Sequence, residues 1–517
     1  MIRCSLYSFL LLFVTTIHAQ TFSKVYDFGS SAERGWYMCA HPDGLMIQSK
    51  SNCPGGVVCG LYFVVSPDSG HVLNWVNHGD DTTNISPARG LDPVNGLYYS
   101  MSTFQNGSQI NMMQLVLDED LDLIRMSQYT EDDLQNQGYC QYVLNDKVYM
   151  LGWIVNPGAY TSPYLVCTDL EGNKLWSKIY TEYKNCKGAG DIIASHDGQL
   201  IMVERNAIPL QGDKAIIRKL DTLGNVIWKK IYGGDMSGDR LVNVCPLGSD
   251  KYLLQAHIDS VLVNPNTGGV TSRQATAFIL DEDGELLSDT IINDYGELRY
   301  YTNTTCAKDG GVIASGQIVG KSAVLSANLP PQTFGLITRF DSLGHILWDR
   351  FFWDPDYLRI NPDTIFSGSF GPVVEMEDGR LAVVGLIFGP QDKGGTNPWV
   401  LMLDSVGCLT PGCGDGEQIV TAVREHLPPS LYPVFLTPNP ATGQVEIGFD
   451  SQVLLDAVAS VVITDLSGRQ VLHNAWPRGQ SSLLLGIPHL SSGLYVVRLE
   501  DARGQLLAVQ KLVVPAR

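Results

Sequence analysis

Two pairs of cysteines lie close enough along the chain to close local loops. Cys53 and Cys59 share a Gly/Pro-rich stretch, and Cys408 and Cys413 flank another. In an oxidising compartment both are expected to form disulfides. Zinc is the rival reading of these thiols, but the chain has neither paired C-x-x-C motifs nor a histidine at ligand spacing. The run Phe351-Phe-Trp353-Asp354-Pro-Asp356-Tyr357-Leu-Arg359 is the richest candidate for ligand contact. Trp353 and Tyr357 can stack on a sugar or an aromatic group, while Asp354, Asp356 and Arg359 can fix polar groups. The alternative is a loop that packs its own aromatics against a scaffold.

Reaction chemistry is thinly signalled. The chain has no G-x-S-x-G elbow, no H-E-x-x-H and no P-loop. His41 and His196 sit beside tight turns. Asp80-Asp81 and Asp281-Glu282-Asp283 lie in turns and read as solvated acids, and the full EF-hand spacing is missing. No catalytic, cofactor-binding or metal-binding residue is assigned, and no cofactor is expected.

The elements that must position any site emerge from composition and repeats. At 517 residues the chain is long enough for two or more domains, and with only 17% charged residues it can bury a core. The formal net charge of −19 disfavours nucleic acid as a partner. Arg3, the apolar run from Leu6 to Ile17 and the small residue Ala19 read as a secretory signal ending at residue 19. That run is too short to span a bilayer, and no later segment is long and apolar enough.

Seven copies of one element follow: apolar strand, Asp, two residues, Gly, second strand, often with Trp. The Asp, Gly and Trp positions include Asp68, Gly70 and Trp75; Asp169, Gly172 and Trp176; Asp221, Gly224 and Trp228; Asp281 and Gly284; Asp341, Gly344 and Trp348; and Asp404 and Gly407. In one copy Asp118 is followed by Leu121 in the Gly slot. Seven polar turns, most containing Asp-Gly, alternate with them. Each element reads as a β-hairpin, and two hairpins make a four-stranded unit recurring every 50 to 60 residues. The seventh copy runs out after Gly407, and its missing strand is expected from Thr21-Phe-Ser-Lys-Val-Tyr26, which is similar to Trp176-Ser-Lys-Ile-Tyr180. The tight turns should share one face. The long segments 257–275, 318–334, 352–372 and 386–397 should share the other, where function is expected.

The Asp-x-x-Gly-x-x-x-Trp repeat resembles that of quinoprotein-type propellers, which implies that the tryptophans pack between adjacent blades. A quinone enzyme should also carry an adjacent Cys-Cys pair, and none is present. From Tyr432 a new all-β pattern begins. Thr437-Pro438-Asn439-Pro440, then Asp465-Leu-Ser-Gly468-Arg469, Leu490-Ser-Ser-Gly493-Leu494-Tyr495 and Lys511-Leu-Val-Val514 resemble the C-terminal sorting domain of the type IX secretion system of Bacteroidetes. Thr437 stands where that family has Tyr. The resemblance implies export across both membranes and contact with the type IX machinery.

The expected fold is all-β: a seven-bladed β-propeller followed by a small Ig-like β-sandwich. The expected divisions are a signal at 1–19, the propeller at 20–407, a linker at 408–432 and the sorting domain at 433–517. The expected function is a secreted or surface-displayed, monomeric, non-enzymatic binding or adhesion module for glycan or protein. The alternative is an exported enzyme: a polysaccharide-active hydrolase or lyase or, with less support, a quinone-dependent dehydrogenase.

Overall fold

Asp-x-x-Gly turns organise the chain locally. The Asp carboxylate accepts backbone N–H groups two and four residues on. Asp221 Oδ1 takes Leu223 N at 2.9 Å and Asn225 N at 2.8 Å, and Asp404 Oδ1 takes Val406 N at 3.1 Å and Cys408 N at 2.7 Å. The residue in the Gly slot then adopts a positive φ, 76° at both Gly224 and Gly407, which glycine reaches without a Cβ penalty. Leu121 holds the same conformation at φ 71°, and its side chain is buried in compensation.

The computed structural model describes Thr21–Pro515 except 30–32, 54–56, 80–81, 133, 184, 209–211, 233–239, 259–261, 264–269, 272–273, 292–297, 321–331, 356–358, 362–363, 367, 389–394, 421, 427–433, 450–457, 466–468 and 503–505. No α-helix occurs among the described residues, and none long and apolar enough to cross a membrane. The expected signal segment lies outside the described residues.

Hairpins pair into four-stranded antiparallel units, of which the second and third join through a parallel pairing of Arg89 with Cys140. Sheet 1 comprises Arg34–His41, Gly44–Asn52, Val58–Val65 and Val72–His78. Sheet 2 comprises Asn84–Val94, Leu97–Asn106, Gln109–Leu117 and Leu123–Tyr129. Sheet 3 comprises Asn136–Leu144, Lys147–Asn156, Tyr160–Asp169 and Lys174–Ile179. Sheet 4 comprises Cys186–Ala194, Leu200–Ile208, Gly212–Leu220 and Val226–Tyr232. Sheet 5 comprises Arg240–Leu247, Lys251–Ile258, Gln274–Asp281 and Leu286–Ile291. Sheet 6 comprises Leu298–Cys306, Val312–Gly320, Gln332–Phe340 and Ile346–Trp353. Sheet 7 comprises Gly368–Glu375, Leu381–Phe388, Thr396–Leu403 and, from the other end of the chain, Phe22–Asp27. First strands of successive sheets lie against one another, and the last, Gly368–Glu375, lies against the first, Arg34–His41. A cycle of sheets around an axis is the arrangement of a β-propeller. The apolar core sits between neighbouring sheets, as where Ile201, Val203 and Ile217 of sheet 4 pack with Val244, Tyr252 and Leu254 of sheet 5.

Each sheet grips the turn of the next. A Cβ placed on Gly224 would lie 2.8 Å from the ring of Trp176, one on Gly284 2.6 Å from Trp228, and one on Gly407 2.6 Å from Trp348. Four residues after the ring, a tyrosine donates to the same glycine's carbonyl: Tyr180 to Gly224 at 2.9 Å, and Tyr232 to Gly284. The N-terminal strand repeats the device on sheet 1. The Phe22 ring covers Gly70, and Tyr26 Oη donates to Gly70 O at 2.6 Å. This strand runs antiparallel to Thr396–Leu403, with Phe22 opposite Met402 and Val25 opposite Trp399. Arg380 completes the seam by donating to Pro67 O at 2.8 Å and Asp68 Oδ1 at 3.1 Å.

The stretch read as a linker, 408–432, carries two strands. Gly416–Ile419 adds in parallel to the outer edge of sheet 6, and Val423–His426 adds in parallel to Phe22–Asp27. Arg424 pairs with Asp27 at 2.6 Å. Disulfides join Cys53 to Cys59 and Cys408 to Cys413, and a third joins Cys245 of sheet 5 to Cys306 of sheet 6.

The C-terminal unit has two sheets around one core. Val434–Thr437, Gln444–Phe449 and Ser482–Gly486 form one, and Gln470–Ala475, Ser460–Asp465, Gly493–Glu500 and Leu506–Val514 the other. Ile447, Val461, Trp476, Leu499 and Leu512 are among the residues buried between them.

The glycine contact sets a measurable expectation. Gly224→Ala meets both the positive φ and the Trp176 ring, whereas Gly198→Ala, at the same φ of 76° with open space around it, meets only the first. Denaturant melts should show Gly224→Ala losing about 2–4 kcal/mol and Gly198→Ala about 1 kcal/mol. Equal losses would mean that the ring contact contributes nothing.

Candidate functional site

The first strand of every sheet departs from regular pairing at one level. Register shifts fall between Gly35 and Tyr37, Pro87 and Leu91, Gly138 and Cys140, Ala189 and Asp191, Leu241 and Asn243, Tyr301 and Asn303, and Phe370 and Val373. A bulge leaves a residue unpaired and re-aims the side chains beside it. Because these strands line the axis, the bulges bring Arg89 and Tyr139 of neighbouring sheets together in the space between them. The space is narrow: a Cβ on Gly90, at φ 128°, would lie 2.3 Å from Gln141 Cγ of the neighbouring sheet.

Arg89 spans this space from sheet 2. Its Nη1 donates to Asn243 Oδ1 of sheet 5 at 2.9 Å and approaches Gly190 O of sheet 4 at 3.4 Å, and its guanidinium lies 5.7 Å from the centre of the Tyr139 ring of sheet 3. Two half-buried acids lie on the same set of first strands. Asp92 Oδ2 accepts from Gln141 Nε2 at 2.8 Å, and Asp191 accepts from Ile192 N at 3.0 Å and Val244 N at 3.5 Å. Burial pushes Asp92 up to about 7, with the Gln141 hydrogen bond opposing it. Burial also pushes Asp191 up to about 6, with the nearby Arg89 charge opposing it. Tyr37 of sheet 1 is raised by burial and by the charges of Asp92 and Asp191. Five sheets thus contribute to one cluster. Among the described residues, Arg89 Nε and Nη2, Asp92 Oδ1 and the Tyr37 and Tyr139 hydroxyls have no protein partner, and none is sealed from solvent.

Sequence reasoning passed over Arg89, Asp92, Asp191 and Asn243. The available signal was a glycine beside these positions in several first strands, as in Ala88-Arg89-Gly90-Leu91-Asp92 and Gly188-Ala189-Gly190-Asp191.

The segment expected to touch a ligand is placed differently. Trp353 is 2% exposed and packs on Phe334 at 5.8 Å between ring centres. Asp354 is fully buried, accepts from Ala422 N, and follows a backbone carbonyl that holds Val420 N at 3.0 Å. This corrects the expectation for both residues, because the two added C-terminal strands cover them. Asp356 and Tyr357 lie outside the described residues. Arg359 begins the short strand Arg359–Asn361, which pairs with Thr364–Phe366. Much of the long segments 257–275, 318–334, 352–372 and 386–397 also lies outside them. The turns of neighbouring sheets do share a face, where His41 Nε2 meets Glu119 O at 2.9 Å and His196 Nε2 meets Lys251 O at 2.9 Å. Among the described residues, no group of three or more His, Cys, Asp or Glu is placed to hold a metal.

The sorting-motif residues are brought together in the C-terminal unit. Asn439, between Pro438 and Pro440, donates to Lys511 O and accepts from Val513 N, both at 2.8 Å. Asp465 takes Arg469 N and Nε, each at 3.0 Å. Tyr495, which follows Gly493 and Leu494, donates to Ser491 O at 2.8 Å. Gly468 lies outside the described residues.

The axial acids make stability depend on pH. A carboxyl raised above its ordinary value of 3.8 favours the fold as the neutral acid. Its contribution is full below that value and is lost as pH rises through about 7 for Asp92 and about 6 for Asp191. Asp92→Asn should therefore raise the unfolding free energy by about 1–2 kcal/mol at pH 8 and by little at pH 5, read from parallel denaturant melts. A pH-independent difference would contradict the burial of this group.

Solved structures similar to the chain are remote, and the likeness concerns fold alone. The β-propeller domain of the Trilobed protease from Pyrococcus furiosus is 12% identical, with a TM-score of 0.35 over 71% of this chain and 92% of that one. Polysaccharide lyase Uly1 is 9% identical, with a TM-score of 0.39 over 72% and 90%. A puromycin-hydrolyzing peptidase of Mycobacterium tuberculosis is 13% identical, with a TM-score of 0.44 over 82% of this chain, which spans 61% of that peptidase. No curated protein matches the chain in sequence. Residues 436–515 match the family described as secretion system C-terminal sorting domain, so the C-terminal unit is a type IX sorting domain and the protein is delivered to the cell surface or beyond it.

Proposed function

We propose that this exported protein is a binding module. Its seven sheets are the blades of a propeller, and its ligand, a glycan or a protein, is held where the first strands meet. The observation that carries this reading is the Arg89 guanidinium, fixed by Asn243 and Gly190, with its Nε and Nη2 left without a protein partner among the described residues. A donor fork held in place before a ligand arrives loses little freedom on binding. The Ig-like form of the sorting domain, its transient contact with the type IX machinery and the monomeric state belong to the same reading.

A second reading rests on one specific feature. Asp92 and Asp191, pushed to about 7 and about 6, lie where a carboxyl can serve as general acid or base at neutral pH. That would make the protein a polysaccharide-active enzyme.

One experiment separates the two. The secreted chain is applied to a glycan array and to live cells, and the same polysaccharides are assayed for chain cleavage. Retention without cleavage, weakened at least tenfold by Arg89→Ala, is the expected result. Cleavage that disappears in both Asp92→Asn and Asp191→Asn would replace the binding reading with the enzymatic one.

A further inference from the structure

We infer that the Cys408–Cys413 disulfide is a redox latch. Oxidised, it seats a strap, the strands Gly416–Ile419 and Val423–His426, on the outer edges of sheets 6 and 7; reduced by a dithiol, it releases that strap from a propeller that stays folded. The inference stands apart from the binding reading. The need for a latch comes from ring closure. In sheet 4 the chain leaves the Asp221 turn through Asn225 and becomes the fourth strand, Val226–Tyr232. Cys408 holds the matching place after Asp404, with its N–H on Asp404 Oδ1 at 2.7 Å. The fourth place in sheet 7 is taken by Phe22–Asp27, so here the chain has to turn away. The disulfide to Cys413, 5 residues on, makes that turn.

The turn aims the chain back at sheet 6, where Arg350 receives it. The Arg350 guanidinium lies 4.6 Å from the centre of the Trp348 ring, its Nε donates to Cys413 Sγ at 3.2 Å, and its Nη1 lies 3.3 Å from Asp415 Oδ1. Trp348 in turn covers Gly407, the residue before Cys408. Both ends of the small loop are thus held against one indole and guanidinium. Thr21 joins the other end of the chain to the same loop by donating to Leu409 O at 2.6 Å. The strap beyond is weakly held on its own. Each of its strands has 4 residues and lies at the edge of its sheet, and Ile419 and Val423 are exposed. Short edge strands open locally at low cost. Closing the loop removes much of the chain freedom that seating the strap would otherwise cost.

The bond is also within reach of a reductant. Cys408 is fully buried, but Cys413 is half-buried between the exposed Gly412 and Gly414. A thiolate of the dithiol attacks Cys413 Sγ, and Cys408 leaves as a thiolate and takes up a proton. The second thiol of the reductant then displaces Cys413 from the mixed disulfide. Two electrons and two protons pass to the protein, and the reductant becomes a cyclic disulfide. The other two bonds lie elsewhere. Cys53–Cys59 belongs to sheet 1, and Cys245–Cys306 joins the first strands of sheets 5 and 6, away from the outer edges that the strap uses.

The test uses the secreted full-length chain, folded and oxidised, then treated with dithiothreitol at about pH 8, where its thiolate is available. Trypsin cleavage after Arg424, alkylation of each cysteine and hydrogen exchange are followed together. Cleavage should speed up about tenfold or more in step with alkylation of Cys413, while the amides of sheets 2 to 4 keep their protection. Reoxidation should restore the original rate. Cys408→Ser with Cys413→Ser should reproduce the fast cleavage without reductant, whereas Cys53→Ser with Cys59→Ser should leave it slow. Because the wild-type chain is reduced after folding, the readout survives a serine variant that does not fold. Cleavage that stays slow once Cys413 is alkylated would overturn the latch. So would cleavage that follows alkylation of Cys53 or Cys245 instead, or loss of protection in sheets 2 to 4 together with the strap, which would make the bond a general staple.

Discussion

A bare glycine Cα under an aromatic ring, with the glycine carbonyl bonded to a tyrosine hydroxyl, is the contact on which the architecture turns. Trp176 and Tyr180 make it to Gly224, Trp228 and Tyr232 to Gly284, and Phe22 and Tyr26 to Gly70. The contact is directional, because one sheet supplies the covering side chain and the next supplies the turn; the cover is an aromatic ring in these cases, Arg125 over Gly172 and Ile279 over Gly344. A closed cycle of such contacts has no natural first member. The sheet that begins the chain must receive a ring from the sheet that ends it, and only an N-terminal strand laid beside Thr396–Leu403 can deliver one. Closure also pairs the free edge of Thr396–Leu403, which would otherwise invite pairing with other chains. The added strand Val423–His426 then covers Phe22–Asp27 on its far side.

Features that depend on short spacing were legible in the sequence. The Asp-x-x-Gly turn is a local device, so six of its occurrences announced hairpins, and at the seventh the likeness of Phe22-Ser-Lys-Val-Tyr26 to Trp176-Ser-Lys-Ile-Tyr180 located the closing strand. The local disulfides were legible for the same reason. The Cys245–Cys306 bond, 61 residues apart, was not. Trp353 and Asp354 misled because their burial depends on partners at Val420 and Ala422, far along the chain. The axial cluster was invisible because a bulge is a property of register between strands. Arg89 and Asp191 sit in apolar runs with no motif, and nothing local says that they face one another.

The same geometry that hides the cluster gives it its chemistry. Seven first strands converging on an axis leave little room, so glycine recurs where backbones approach. The polar side chains that remain are held by neighbours on other sheets. Asn243 and Gly190 orient Arg89 from two sheets that its own strand does not pair with. Such cross-sheet support costs little mobility once the ring is closed, and it would be lost if any one sheet rotated. Burial raises the acids, while access to water keeps them titratable. Both effects come from position on the axis.

Closure of the ring and delivery of the protein meet at one seam. The strand that completes the cycle starts at Phe22, just past the expected signal, and the strands that brace it end at His426, just before the sorting domain. Joining Phe22 to Met402 closes a loop nearly as long as the propeller, and such non-local pairing is slow to form because the intervening chain must already be ordered. The Arg424–Asp27 ion pair needs the closing strand in place, because Asp27 belongs to it, while the Val420 and Ala422 amides tie the same segment to Trp353 and Asp354 of sheet 6. The seam therefore joins the strand that completes the cycle to the segment that leads into the sorting domain, so one set of contacts closes the ring and fixes where that segment leaves it.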